Sequence, residues 1–331
     1  MRVLDLLRHY RRAAIQGCAG SGKTMLAIEK TRRLAAQGFE VLLVCFNVAL
    51  ANHLAECLGG VAEVCHFHGL CEALIEKAGL RAAPPSDKNE YFNRFLPQML
   101  LEAIDALGPQ FDAIVVDEGQ DFKEDWWVSL HALLRDEQQG VFYVFFDDNQ
   151  NLYKGVGHIP GLIDTPPFAL TENCRNTQHI HSLVARFHPR GAEIRSLGPQ
   201  GRPPSYHAYD SEQTLLRLLR QTLHQLVHEE GVALDDLVIL TPRVEHRSAL
   251  KDGVSLGNFV LSRQRSPKPG HVWVSTIHAF KGLERKVILL AEIVQGIDKD
   301  LPTLLYVGCS RARTHLVIFH SKEMHPERVG E

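Results

Sequence analysis

The stretch Gly17-Cys18-Ala19-Gly20-Ser21-Gly22-Lys23-Thr24 concentrates more chemistry than any other part of this chain. It fits G-x-x-x-x-G-K-[ST]. In that pattern Gly17, Gly20, Ser21 and Gly22 form a turn whose backbone N–H groups can face phosphate, Lys23 reaches the β- and γ-phosphates, and the Thr24 hydroxyl meets Mg²⁺. A short apolar run, Ala13 to Gln16, precedes the loop and a helical pattern follows it, the setting in which the motif works. Asp117-Glu118 directly follows another apolar run, Ala113 to Val116. A carboxylate at a strand's end can hold Mg²⁺, here Asp117 together with Thr24, while Glu118 orients and deprotonates a water for attack on the γ-phosphate. Alone, such an acidic pair is as often a helix cap; the phosphate loop tips the reading toward catalysis. An Asn-Lys-x-Asp guanine reader is missing, which argues against a GTPase.

The elements that must carry these residues are written as short, continuous apolar runs. Val41 to Phe46, Ala113 to Val116 and Val141 to Phe146 occupy the first half; Leu237 to Leu240, Val272 to Val274, Val287 to Leu290 and Leu316 to Phe319 occupy the second. Strands covered on both faces by helices have this composition, so a parallel α/β sheet is expected. Helical patterns lie between them, among them Thr24 to Gln37 with Gly38 as C-cap, and Ser211 to Glu229. With 331 residues, two domains are expected, at about 150 residues each. The Pro/Gly-rich stretch from Gly155 to Pro167 suggests a division into 1–165 and 166–331, with a small helical insertion near 72–110. Lys plus Arg number 36 against 39 Asp plus Glu, a net charge of −3, so any nucleic-acid binding must come from a local groove. No run approaches the ~20 apolar residues of a membrane span, and no signal peptide is evident. Seven scattered cysteines without a Cys-x-x-Cys pair fit a reducing, cytoplasmic setting.

Several further blocks appear in a telling order. Cys45-Phe46-Asn47-Val48-Ala49-Leu50-Ala51 is followed by His66-Phe67-His68-Gly69, Asp117-Glu118-Gly119-Gln120-Asp121, and Asp147-Asp148-Asn149-Gln150-Asn151-Leu152-Tyr153. The second half adds Asn173-Cys174-Arg175, Thr276-Ile277-His278-Ala279-Phe280-Lys281-Gly282-Leu283-Glu284, and Tyr306-Val307-Gly308-Cys309-Ser310-Arg311-Ala312-Arg313. In this order the blocks resemble those of the UvrD/Rep-like superfamily 1 DNA helicases over nearly the whole chain. The wording is similar to the variant found downstream of nuclease-related domains.

That resemblance implies two RecA-like domains with an ATP cleft between them and ATP with Mg²⁺ as cofactors. It implies an ATP-hydrolysing motor that moves on single-stranded or partly duplex DNA, 3′-to-5′ by family expectation. Catalysis would fall to Lys23, Asp117, Glu118, Gln150 as γ-phosphate sensor, and the arginines Arg175 and Arg311. An arginine finger can be worth ~10³–10⁵ in rate. Gly282 and Glu284 would contact nucleotide, Glu284 at the ribose. Phe46, His66, Phe67, His68, Tyr153, Thr276 and His278 fall in or beside blocks that touch DNA, where aromatic faces can stack on bases; a core-plug role for Phe46 and Phe67 competes with this.

The chain also departs from the pattern. An adenine-reading glutamine before the phosphate loop is not found, and Cys174 stands where an aromatic would stack on adenine, so base selectivity stays open. Lys154-Gly155-Val156-Gly157 replaces a W-R-G segment, and the short span from Leu250 to Trp273 has no room for the large inserted regulatory domain. A protein partner or nuclease subunit supplying missing functions is consistent with so pared a motor. The alternative is a nucleotide-switched DNA- or protein-binding module with slow turnover and no translocation. Cys65, His66, His68 and Cys71 lie close in sequence, but zinc sites usually draw ligand pairs from two segments. Trp126 and Trp127 are expected in the core.

Overall fold

Strands that are apolar on both faces need helices on both faces, and the chain meets that demand twice. The computed structural model describes residues 2–147, 163, 165–187, 194–265, 268–297 and 300–330. The chain divides into two units, Met1–Leu170 and Thr171–Glu331.

The first unit holds a six-stranded sheet of β1 (Arg12–Gly17), β2 (Val41–Cys45), β3 (Glu63–His66), β4 (Ala113–Val116), β5 (Val141–Phe146) and β6 (Phe168–Leu170). Their order is β3-β2-β4-β5-β1-β6, with every pairing parallel. β2, β4 and β5 are buried along their whole length, as their unbroken apolar sequences require. The helices are α1 (Arg2–Leu6), α2 (Lys23–Ala36), α3 (Val48–Leu58), α4 (Phe67–Lys77), α5 (Lys88–Glu90), α6 (Leu96–Leu107) and α7 (Glu124–Ala132). Asn47 caps α3, its side chain accepting from the N–H groups of Ala49 (2.8 Å) and Leu50 (3.2 Å). Past α2, Gly38 takes the left-handed φ of 86° expected of a residue that ends a helix. Because all six strands run the same way, whatever follows β1, β4 and β5 emerges at one edge, and these three strands are neighbours. The site is placed by that fact alone.

The second unit carries a seven-stranded sheet. In chain order its strands are β9 (Ser205–Tyr209), β10 (Leu237–Thr241), β11 (Ser255–Leu256), β12 (Phe259–Ser262), β13 (His271–Thr276), β14 (Arg285–Ile293) and β15 (Ala312–Ser321). They lie in the order β11-β12-β13-β10-β14-β15-β9, all parallel except β11 with β12. A small pair, β7 (Glu172–Asn173) with β8 (Arg195–Ser196), stands apart, and α8 (Gln178–Arg186), α9 (Glu212–His224) and α10 (Leu301–Cys309) complete the unit. Ser211 caps α9 by accepting from the Thr214 N–H, and a turn over Gln225–Glu229 extends that helix. Both units are thus RecA-like α/β layers built on parallel strands. Among the described residues, no helix is long and apolar enough to cross a membrane.

Each unit also contains a histidine held neutral by burial: His68 on α4 and His315 on β15, both with pKa lowered from 6.5 to about 4. Between these values the unfolded chain takes up protons that the folded chain refuses, so stability falls as pH drops from about 6.5 toward 4. Urea midpoints measured across that window should decline, and His315→Asn should flatten the decline for the second unit; an unchanged slope would show that His315 is not the group responsible.

Candidate active site

The chain leaves β1 at Gly17 and must turn sharply into α2. Gly20 and Gly22 provide the turn with φ of 85° and 87°, a region that L side chains rarely enter. Gly17 is required for space: a Cβ there would lie 2.3 Å from the Ser21 Oγ and 3.1 Å from the Leu170 Cβ. Lys23 opens α2 and folds back over the loop, its ammonium donating to the carbonyls of Gly17 (2.8 Å) and Cys18 (3.0 Å). The same Nζ lies 3.7 Å from the Asp147 Oδ2, with both side chains buried. A lysine so placed can exchange its carbonyl partners for phosphate oxygens without leaving its seat.

Parallel β4 and β5 deliver their carboxylates to the same edge. Asp117 follows β4, its N–H donating to the Val44 carbonyl (2.9 Å), and its side chain is fully buried. Glu118 has a φ of 55°, strained for a residue with a side chain. Gln120 then ties the site together: its amide donates to the Glu118 carboxylate, and its Oε1 accepts from the Asp147 N–H (2.9 Å). Burial and, next, the Glu118 charge push the Asp117 carboxyl well above the usual carboxylate range, against the opposing pull of Thr24 and Lys23.

The donors present suit Mg²⁺. The Asp117 Oδ2 is buried without a hydrogen-bond partner among the described residues, and the Thr24 side chain hydrogen-bonds the same carboxylate. A hydroxyl and a carboxylate oxygen beside a phosphate loop are the hard oxygen ligands that this ion takes. The buried Ser21 Oγ is likewise unpartnered and lies against Gly17. Gln150 and Tyr153 lie outside the described residues.

The residues expected to meet nucleic acid divide sharply. His66 caps α4: its Nδ1 accepts from the Gly69 N–H (2.8 Å), and a Cβ on Gly69 would meet its ring at 2.8 Å. Phe67 offers no face to a base. It is fully buried, stacked on Trp126 at 4.6 Å between centroids and edge-on to Phe122, because the first residue of α4 points under the sheet's edge into the core. The expectation of a stacking Phe67 is therefore corrected to that of a core plug. Phe46 is half-buried, stacked on Trp126 at 5.8 Å, and His68 packs against Phe92 at 4.9 Å while its Nε2 hydrogen-bonds the Phe92 carbonyl (3.1 Å). Trp126 and Trp127 are core residues, each 1% exposed. Among the described residues no cluster of His, Cys, Asp and Glu is arranged to hold a metal ion, and Cys71 is buried.

In the second unit, Glu284 precedes β14 and Arg311 precedes β15, and the Arg285 N–H donates to the Arg311 carbonyl (3.1 Å). Arg175 pairs with the Glu284 carboxylate, which Arg313 also approaches at 3.6 Å. Arg311 is 1% exposed, donating from Nε to the Val307 carbonyl (3.0 Å) and from a terminal nitrogen to the Ser310 Oγ (3.1 Å). Gly282 turns the chain with φ 83° just before Glu284. Thr276 ends β13 and His278 follows it at the opposite edge, where the Thr276 Oγ1 accepts from the Ala279 N–H (3.0 Å). Reading the sequence for motifs missed Gln120 and Asp147 as parts of the phosphate site and Arg313 beside Glu284. The adjacency of β4 and β5 is the signal that could have paired the first two.

Two family models match this chain. One, described as the UvrD-like helicase C-terminal domain, covers residues 271–319; the other, described as an AAA domain, covers residues 5–156. Among solved structures, the chain is similar to one described as the structure of PRRSV helicase, with 13% identity, 98% of this chain and 56% of that chain covered, and a TM-score of 0.48. The chain thus spans little more than half the length of that neighbour.

Because Phe67 is a core residue, Phe67→Ala should lower unfolding stability by about 3–5 kcal/mol in urea titrations, and Phe46→Ala should cost less. A neutral Phe67→Ala would return that ring to the surface.

Proposed function

We infer from the match of residues 271–319 to the UvrD-like helicase C-terminal domain and of residues 5–156 to an AAA domain that this chain is a UvrD-like superfamily 1 motor, which hydrolyses ATP to move along single-stranded DNA. The observation that supports this most is the ring of buried charge at the ends of β1, β4 and β5: Lys23 on the loop carbonyls, Asp147 beside it, and Asp117-Glu118 with Gln120 between. Lys23 binds and orients the β- and γ-phosphates. Asp117 and Thr24 would hold Mg²⁺, which when bound supplies positive charge to the phosphate oxygens. Glu118 takes the proton of the attacking water, and its strained backbone and hydrogen bond to Gln120 fix its direction. Arg175 and Arg311 serve as the guanidinium groups that meet charge spreading over the γ-phosphate. Gln150 is the sensor of that phosphate, and Glu284 with Gly282 contacts the nucleotide. Phe46, His66, His68, Tyr153, Thr276 and His278 supply the DNA contacts. Travel 3′-to-5′ belongs to the same proposal, as do unwinding of duplex and a partner that supplies functions this chain lacks.

Steady-state ATPase rates with and without single-stranded DNA test the proposal. Single-stranded DNA should raise turnover, and absence of stimulation would favour a nucleotide-switched binding module instead; stimulation by RNA alone would reassign the substrate. Lys23→Ala should abolish hydrolysis, while Glu118→Gln should retain nucleotide binding and stall turnover. Arg311→Ala should lower kcat by ~10³ or more, and normal turnover in that variant would remove Arg311 from the reaction.

A further inference from the structure

The segment carrying Arg175 is fastened to the segment carrying Arg311 by one side chain. Asn176 is fully buried, and its Nδ2 donates to the carbonyls of Ser310 (3.1 Å) and Ala312 (2.6 Å), the residues on either side of Arg311. Its Oδ1 accepts from the Asn173 Nδ2 (2.8 Å), while the Asn173 Oδ1 accepts from the N–H groups of Arg175 (3.1 Å) and Asn176 (3.0 Å). Arg175 therefore sits on a backbone turn closed by two buried amides. One residue on, the Thr177 N–H donates to the Arg313 carbonyl (3.1 Å).

A strap closes on the same turn from its other side. The Gln178 N–H donates to the Pro199 carbonyl (2.8 Å), so the segment from Gly198 to Gly201 runs against residues 176–178. The fit requires glycine: a Cβ on Gly198 would lie 2.1 Å from the Asn176 carbonyl oxygen, and one on Gly201 would lie 2.3 Å from the Thr177 Cβ. The strap thus packs closely against the arginine-bearing turn.

We propose that Asn176 is a positioning residue that sets Arg175 and Arg311 in one fixed register. Buried amides whose donors and acceptors are all engaged hold a single geometry, because any shift leaves polar groups unpaired away from water. The inference rests on the reading of these arginines as γ-phosphate groups, and it names the part that keeps them together.

The test uses the full chain labelled with ¹⁵N-arginine. In Asn176→Ala, hydrogen exchange at the Arg311 Nε–H should quicken by about tenfold or more, since its buried setting loosens. An unchanged exchange rate would overturn the inference whether or not the chain hydrolyses ATP. In the DNA-stimulated ATPase, kcat should fall by about 10–100-fold with KM for ATP little changed, as expected for misplaced charge rather than lost binding. Equal kcat, or a fall confined to KM, would also overturn it. Asn176→Asp keeps size and acceptor but loses the donor, and it should behave like Asn176→Ala if the latter folds poorly. Gly198→Ala, which displaces the Asn176 backbone without altering its side chain, should show the same kcat loss in milder form. A wild type without ATPase activity would defeat the motor reading, while the exchange comparison would still decide the role of Asn176.

Discussion

The first unit depends on balancing charge in a buried place. One ammonium, Lys23 after β1, lies beside Asp147 after β5 and acts on Asp117 after β4, where Glu118 is buried as well. Isolated buried charge is costly, so each group is held by something: Lys23 by two loop carbonyls, Glu118 by Gln120, and Asp117 by Thr24 and a raised pKa. The excess of negative charge fits a divalent cation, and the loop N–H groups at the start of α2 fit the phosphates that would come with it. Fold and site are one constraint here, because only a parallel sheet brings β1, β4 and β5 to a common edge.

In the second unit two guanidinium groups are held in fixed directions. Arginine keeps its charge at any ordinary pH, but its long side chain must be pinned to act at a defined point. Arg311 is pinned by burial against the Val307 carbonyl and Ser310, Arg175 by Glu284 and by the turn that Asn173 and Asn176 close. Neutral amides do this without adding charge that would compete for the arginines.

How much of this could be read in the sequence varies with the range of the interactions. The phosphate loop between strand and helix, and the place of Asp117-Glu118 at a strand's end, were legible because those patterns are local, and the apolar runs at Val41, Ala113 and Val141 reported buried strands because both faces of each strand are covered. Phe67 was misjudged because an aromatic at a strand-to-helix turn has the same sequence signature whether it faces solvent or core. Trp126, nearly sixty residues later in the chain, decides the matter. Gln120 was visible as a motif letter but not as a bridge, since its partner Asp147 comes from another strand. Asn176 and the strap from Gly198 to Gly201 were invisible for the same reason: their meaning lies in contacts with residues 310–313 and 176–177 that no local pattern encodes.

The central claim is that Lys23 with the buried carboxylates forms a site for a Mg²⁺-bound triphosphate. Its most direct measurement is the equilibrium affinity of the full chain for a fluorescent, non-hydrolysable ATP analogue, in Mg²⁺ and in EDTA. The account predicts tight binding that weakens sharply without Mg²⁺ or when the γ-phosphate is missing. Affinity indifferent to both would contradict it.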